Sequence, residues 1–174
     1  GGIAGYAGGA VDLVVVRIDP QRWDLRVLTA ARDGGDEERN VRQWCEDFGL
    51  TLAINAGMFR EDNAAHVGFL QIDGEIVSRY PNDYRSAAAL DPVDPSEPVF
   101  RIFDLDETPL EEVRERYGTV VQNLRLIKRP RQNRWEPGKD KWRECALAED
   151  GAGRVLLLAC RTAWSMEEFN DILL

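Results

Sequence analysis

Apolar residues recur along this chain in two rhythms. Val11 to Ile18, VDLVVVRI, is rich in valine and stops at Asp19-Pro20, and Trp23 to Thr29, WDLRVLT, alternates apolar with polar positions. Both predict strands, joined by a short turn. From Glu37 to Phe48 the rhythm changes: Val41, Trp44, Cys45 and Phe48 stand at i, i+3, i+4 and i+7, one face of a helix that Gly49 ends. LAINAGMF, Leu52 to Phe59, predicts a strand finishing on Asn55 and Gly57. VGFLQI, Asp73-Gly74 and EIVSR predict a hairpin, because Asp-Gly accepts the positive φ values of a type I′ turn. Asp150-Gly151, between ECALAE and RVLLLAC, predicts a second hairpin with a slightly longer loop.

Between the hairpins, the three prolines of LDPVDPSEP (Leu90 to Pro98) predict a connection. Thr108, Pro109 and Glu111 supply an N-cap, a first-turn proline and a capping-box carboxylate for a helix ending near Gly118. TVVQNLRLI reads as a strand interrupted by Gln122 and Asn123. Ser165 and Glu168 form a capping box for SMEEFNDILL, whose Met166, Phe169, Ile172 and Leu173 make an apolar face. The expected fold class is α+β: a single domain with a mostly antiparallel or mixed β-sheet core and about three helices. Residues 1–10, GGIAGYAGGA, read as a flexible glycine-rich lead-in and residues 11–174 as the domain. The last helix runs to Leu174 without a glycine or polar finish, so the domain is expected to be incomplete at its C-terminal end.

Composition narrows the functional classes. The 174 residues suit one ordinary domain with a real core. A net charge of -9, from 31 acidic and 22 basic residues, argues against a general attraction to nucleic acid or anionic lipid. No apolar run approaches the roughly 18 residues of a membrane helix. Cys45, Cys145 and Cys160 lack metal-like spacing and are read as reduced, although a Cys145–Cys160 disulfide between neighbouring strands is conceivable.

Several polar groups are candidates for chemistry. Asn55 offers two donors and an acceptor, and Gly57 admits close approach to the backbone; together they suit a sugar hydroxyl or phosphate oxygen, or else a simple turn. His66 is the single histidine, which excludes multi-histidine zinc sites; it can bind phosphate or metal or be a solvated loop residue. Glu61 and Asp62 can bring a carboxylate to the same mouth. The acidic run Asp33, Asp36, Glu37 and Glu38 lacks the spacing of a calcium loop. Gln122 and Asn123, if buried, need backbone, water or a ligand as partners. The cluster KRPRQNR, Lys128 to Arg134, can attract phosphate or form an exposed loop. Trp23, Trp135, Trp142 and Trp164 can stack on sugars, with core packing preferred for Trp23.

VVVRIDP, LAINAGMF with HVGFLQIDGEIV, TVVQNLRLI and WRECALAEDGAGRVLLLACRTAWSMEEFNDILL occur in an order that resembles the phosphodiester glycosidase family. The likeness implies a hydrolase cleaving a sugar 1-phosphodiester or related glycosidic linkage in a cell-surface or exopolysaccharide glycan, and an exported protein. Carried over by residue, it makes Asn55, Gly57, Phe59, Gly68 and Gln122 substrate-site candidates, to which His66, Arg143 and Arg161 are added. Asn55 and Gln122 are the candidates for catalysis, and an arginine balances phosphate charge. No cofactor is expected, and a divalent metal stays open. Two departures stand out: the offset of Arg143 against Glu144, and the absence before Leu174 of the family's Leu-Asp/Glu-Gly-Gly segment, which would hold a catalytic carboxylate. The alternative is a non-catalytic carbohydrate-binding module or inactive homologue.

Overall fold

Two antiparallel sheets, built by strands whose alternate residues face opposite sides, carry the structure. The computed structural model describes residues 2–8, 11–34, 39–60 and 65–174. The first sheet runs in the order β1 (Gly2–Gly8), β2 (Val11–Ile18), β11 (Val155–Cys160), β10 (Cys145–Glu149). The second runs β4 (Glu75–Ser78), β3 (Leu70–Ile72), β7 (Tyr117–Asn123), β5 (Ser86–Pro92), β6 (Phe100–Asp104). A small hairpin, β8 (Ile127–Lys128) and β9 (Gln132–Asn133), stands apart from both. With helices α1 (Val41–Phe48), α2 (Leu110–Arg116) and α3 (Met166–Leu173), this is an α+β chain.

Side-chain alternation sets the layers. Ala88 and Leu90 of β5 and Phe100 of β6 pack against Val155 and Leu157 of β11, closing one sheet on the other. On the outer side of the five-stranded sheet, Ala87, Ala89 and Phe103 meet Val113 of α2. On the outer side of the four-stranded sheet, Ala146, Leu158 and Cys160 meet Phe169 and Leu173 of α3. Glu149 ties the sheets by polar contact, accepting from Ile102 N–H and Arg129, both at 3.0 Å.

Both predicted hairpins form, with Asp73 and Gly74 at φ 51° and 81°. The Ser165–Glu168 capping box also forms. Other expectations change. Trp23–Thr29 joins no ladder; Leu25 and Val27 pack into the core as extended chain, so their alternation reflects burial without strand pairing. Trp23, expected to pack, is 47% exposed. LAINAGMF is likewise no strand, and only Phe59 makes an isolated bridge, to His66. Helix α1 starts at Val41, capped by Asn40 and Gln43, while Glu37 and Glu38, like Asp36, lie outside the described residues. Pro109, not Thr108, caps α2, and no side chain bonds there. The helix stops at Arg116 because β7 begins at once. Strand β5 takes in Leu90–Pro92, the start of the expected connection. Within the segment read as a glycine-rich lead-in, Gly2–Gly8 pairs as β1 with β2.

The cysteines are free. Cys145 lies opposite Ala159, one register place from Cys160, so the two thiols point to opposite faces of the sheet and cannot bridge. Cys160 is buried and Cys145 exposed.

Phe169 is fully buried between α3 and the four-stranded sheet. Phe169→Ala should lower unfolding free energy by about 3–5 kcal/mol, read as a shift in the urea midpoint at unchanged slope.

Candidate functional site

The C-terminal end of β7 gathers three loops, and it does so through one amide. Gln122 is 2% exposed. Its Oε1 accepts from Phe69 N–H at 2.9 Å and Asn82 N–H at 3.3 Å, while its Nε2 donates to the carbonyls of Asn82 (3.0 Å) and Tyr84 (2.9 Å). Both donors and both lone pairs of the amide are thereby used. The next residue, Asn123, donates from Nδ2 to the Ala56 carbonyl at 2.9 Å. Partners for these two amides therefore come from backbone, and Gln122 serves as a clamp with no hydrogen-bonding capacity left for a ligand.

The Gln122 backbone carbonyl holds His66, 3.0 Å from Nε2. A carbonyl only accepts, so the ring nitrogen facing it, Nε2, carries a proton. Burial pushes the imidazole below its ordinary value of 6.5, against the opposing pull of the Gln122 and Phe69 carbonyls. His66 is thus a half-buried ring held by backbone and not a solvated loop residue.

Gly57 explains why the ring fits. A Cβ there would sit 2.6 Å from both Cε1 and Nδ1 of His66. Its φ is not among the positive values, so a missing side chain, and not an unusual backbone, is what this position supplies. Asn55 closes the turn by accepting Gly57 N–H on Oδ1 at 3.1 Å. It is exposed, and its two amide donors have no partner among the described residues. Phe59 pairs with His66 across the loop and leaves half of its surface in solvent. Gly68 does need its conformation, at φ 107°, and a Cβ there would meet Gln122 Oε1 at 3.1 Å.

Asn55, Gly57, Phe59, His66, Gly68 and Gln122 are therefore brought together. Arg143 and Arg161 are not. Both are exposed at the far end of the β10–β11 hairpin, flanking the pair in which Cys160 N–H donates to Glu144 at 2.8 Å. No described contact links them to the His66 loop. Glu61 and Asp62 lie outside the described residues. Among the described residues, no three His, Cys, Asp or Glu side chains cluster as metal ligands.

Sequence reasoning missed Asn82, which receives and gives bonds to Gln122 and turns the chain by accepting Tyr84 N–H at 3.0 Å. Pro81-Asn82-Asp83 is a turn signal, but nothing local announces a partner forty residues away.

A family model described as phosphodiester glycosidase matches residues 48–174, which takes in this whole cluster. No curated protein matches the chain.

Gly57→Ala should push the imidazole off Gln122 and return the His66 titration, followed by NMR, upward toward 6.5. The sign of the linked stability follows. With the folded value depressed, the unfolded chain protonates first as pH falls below about 6.5, so wild-type stability declines from there until the folded ring titrates. In Gly57→Ala that decline should flatten. A titration identical to wild type would exclude the contact as the cause.

Proposed function

Since the chain belongs to the phosphodiester glycosidase family, we propose that it is an exported protein that hydrolyses a sugar 1-phosphodiester or related glycosidic linkage in a cell-surface or exopolysaccharide glycan. The observation that carries this reading is the Asn55 turn. Its Oδ1 is committed to Gly57 while neither Nδ2 donor has a partner among the described residues, at an exposed position of a loop pinned by His66 and Asn123. A fixed pair of donors suits a sugar hydroxyl or a non-bridging phosphate oxygen, since an oriented donor costs little reorganisation when charge develops. The exposed half of Phe59, two residues past Gly57, offers an apolar face for a sugar ring.

In this arrangement Asn55 touches substrate, whereas His66, Gly57 and Gln122 position it. Cleavage of such a bond needs proton donation to the leaving oxygen and activation of water or direct attack at carbon; the Asn55 loop orients the sugar for these steps.

A carbohydrate-binding module is the second reading, favoured by Trp142, which is 55% exposed and bridged to Trp164 on the opposite segment. Hydrolysis separates the two readings: release of sugar from a synthetic sugar 1-phosphate methyl ester supports the enzyme, and glycan binding without release supports the module. In the active protein, Asn55→Ala should reduce turnover by at least about tenfold, roughly 1.4 kcal/mol of transition-state stabilisation. Unchanged kinetics would remove Asn55 from the site.

A further inference from the structure

A concavity lies beside the clamp, reached through Tyr84 on one side and the segment after β7 on the other. Tyr84, Arg85, Arg125, Lys128, Arg134 and Trp135 are among the residues enclosing about 280 Å³, close to the lower limit of ordinary ligand pockets, about 300 Å³. The hairpin β8–β9, part of the basic cluster KRPRQNR, supplies one wall. It is anchored to α3 through Asn133, which donates to the Glu167 carbonyl at 3.0 Å and to Asp171 at 2.7 Å.

The charges in this wall do not cancel. Arg125 gives one nitrogen to both Asp104 (2.5 Å) and Asp106 (2.6 Å), and Lys128 bonds Asp106 at 2.8 Å. Arg85 reaches Asp106 only at 3.9 Å. Arg134 folds onto a neutral acceptor, Gln132 Oε1, at 3.1 and 2.9 Å, and no carboxylate pairs with it among the described residues. Among the described residues that line the cavity or pair with its cations, four cations thus stand against three carboxylates, Asp83, Asp104 and Asp106. The surplus is positive on a chain whose net charge is -9. The ring of Trp135 is held in place by its indole N–H, which donates to the Arg125 carbonyl at 3.1 Å.

We propose that this cavity is a subsite for an acidic sugar unit, its phosphate or carboxylate against Arg134, Lys128 and Arg85 and its apolar ring face on Trp135. Planar guanidinium groups match either oxyanion by paired hydrogen bonds, and an aromatic wall complements the C–H face of a sugar. The subsite rests on the glycan-directed reading for the sugar, while its anion preference follows from the charges alone. It places an acidic residue of the glycan beside the Gln122 clamp, whose Nε2 donates to the Tyr84 carbonyl.

Calorimetric titration of the whole chain with α-glucose 1-phosphate, galacturonate, glucose and inorganic phosphate tests this without requiring turnover, so loss of hydrolysis and loss of this subsite are read separately. At least one acidic sugar should bind at least about tenfold more tightly than glucose, and which one does so assigns phosphate or carboxylate. Arg134→Gln, at an exposed position, should weaken that ligand about fivefold or more and leave glucose unaffected; Arg85→Gln should act in the same direction. Equal binding of acidic and neutral sugars, inorganic phosphate binding as tightly as its sugar ester, or unaltered affinity in both variants would overturn the proposal.

Discussion

A single buried amide sets the geometry at the end of the five-stranded sheet. Gln122 sits one residue past the last β3–β7 pair, Leu70–Val121, while still pairing with Ala87 of β5, and its side chain adds bonds to Phe69, Asn82 and Tyr84. Each such bond contributes only about 0.5–1.5 kcal/mol net, yet leaving one buried group unpaired costs about 1–3 kcal/mol. Four groups are paired at once, which favours one arrangement of the loops over all looser ones. His66 then rests on the Gln122 carbonyl, Gly57 makes room for the ring, and Asn123 fastens Ala56. Asn55 and Phe59, both exposed, are the outermost members of this series.

Beyond the clamp, the sheet end divides its chemistry by charge. Asn55 offers neutral donors and Phe59 an aromatic face. The wall formed by Arg85, Arg125, Lys128 and Arg134 offers cations, with Asp106 held down to about 2 by Lys128 and Arg125 and so ionised throughout the ordinary pH range. Two loops leave the same strand end with different electrostatics, an arrangement suited to a ligand that is part sugar and part anion. The packed layers of α2, two sheets and α3 behind them provide the rigidity that such positioning needs.

How much of this could be read from sequence depended on the range of each interaction. Asp73-Gly74 and the Ser165–Glu168 box are closed within four residues, and both were legible. Leu25 and Val27 alternate like a strand because they are buried on one side, but ladder pairing depends on distant neighbours that the pattern does not show. Asn55, Gly57 and Gln122 stood out as polar or small residues among apolar ones. Their division of labour did not: Gly57 serves a histidine nine residues on, and Gln122 serves backbone about forty to fifty residues earlier. The cationic wall was half visible, since Lys128 and Arg134 belong to one cluster, whereas Arg85 and Arg125 reach it through the fold.

Amide hydrogen exchange in Gln122→Glu tests the clamp most directly. The substitution keeps the shape but replaces the two N–H donors that face the Asn82 and Tyr84 carbonyls with an acceptor. If Gln122 organises the site, exchange at Phe69 and Asn82 should accelerate by at least about tenfold, roughly 1.4 kcal/mol of local stability, while amides between β2 and β11 keep their protection. Protection at Phe69 and Asn82 equal to wild type in the folded variant would contradict that role and leave the loops held by something other than this amide.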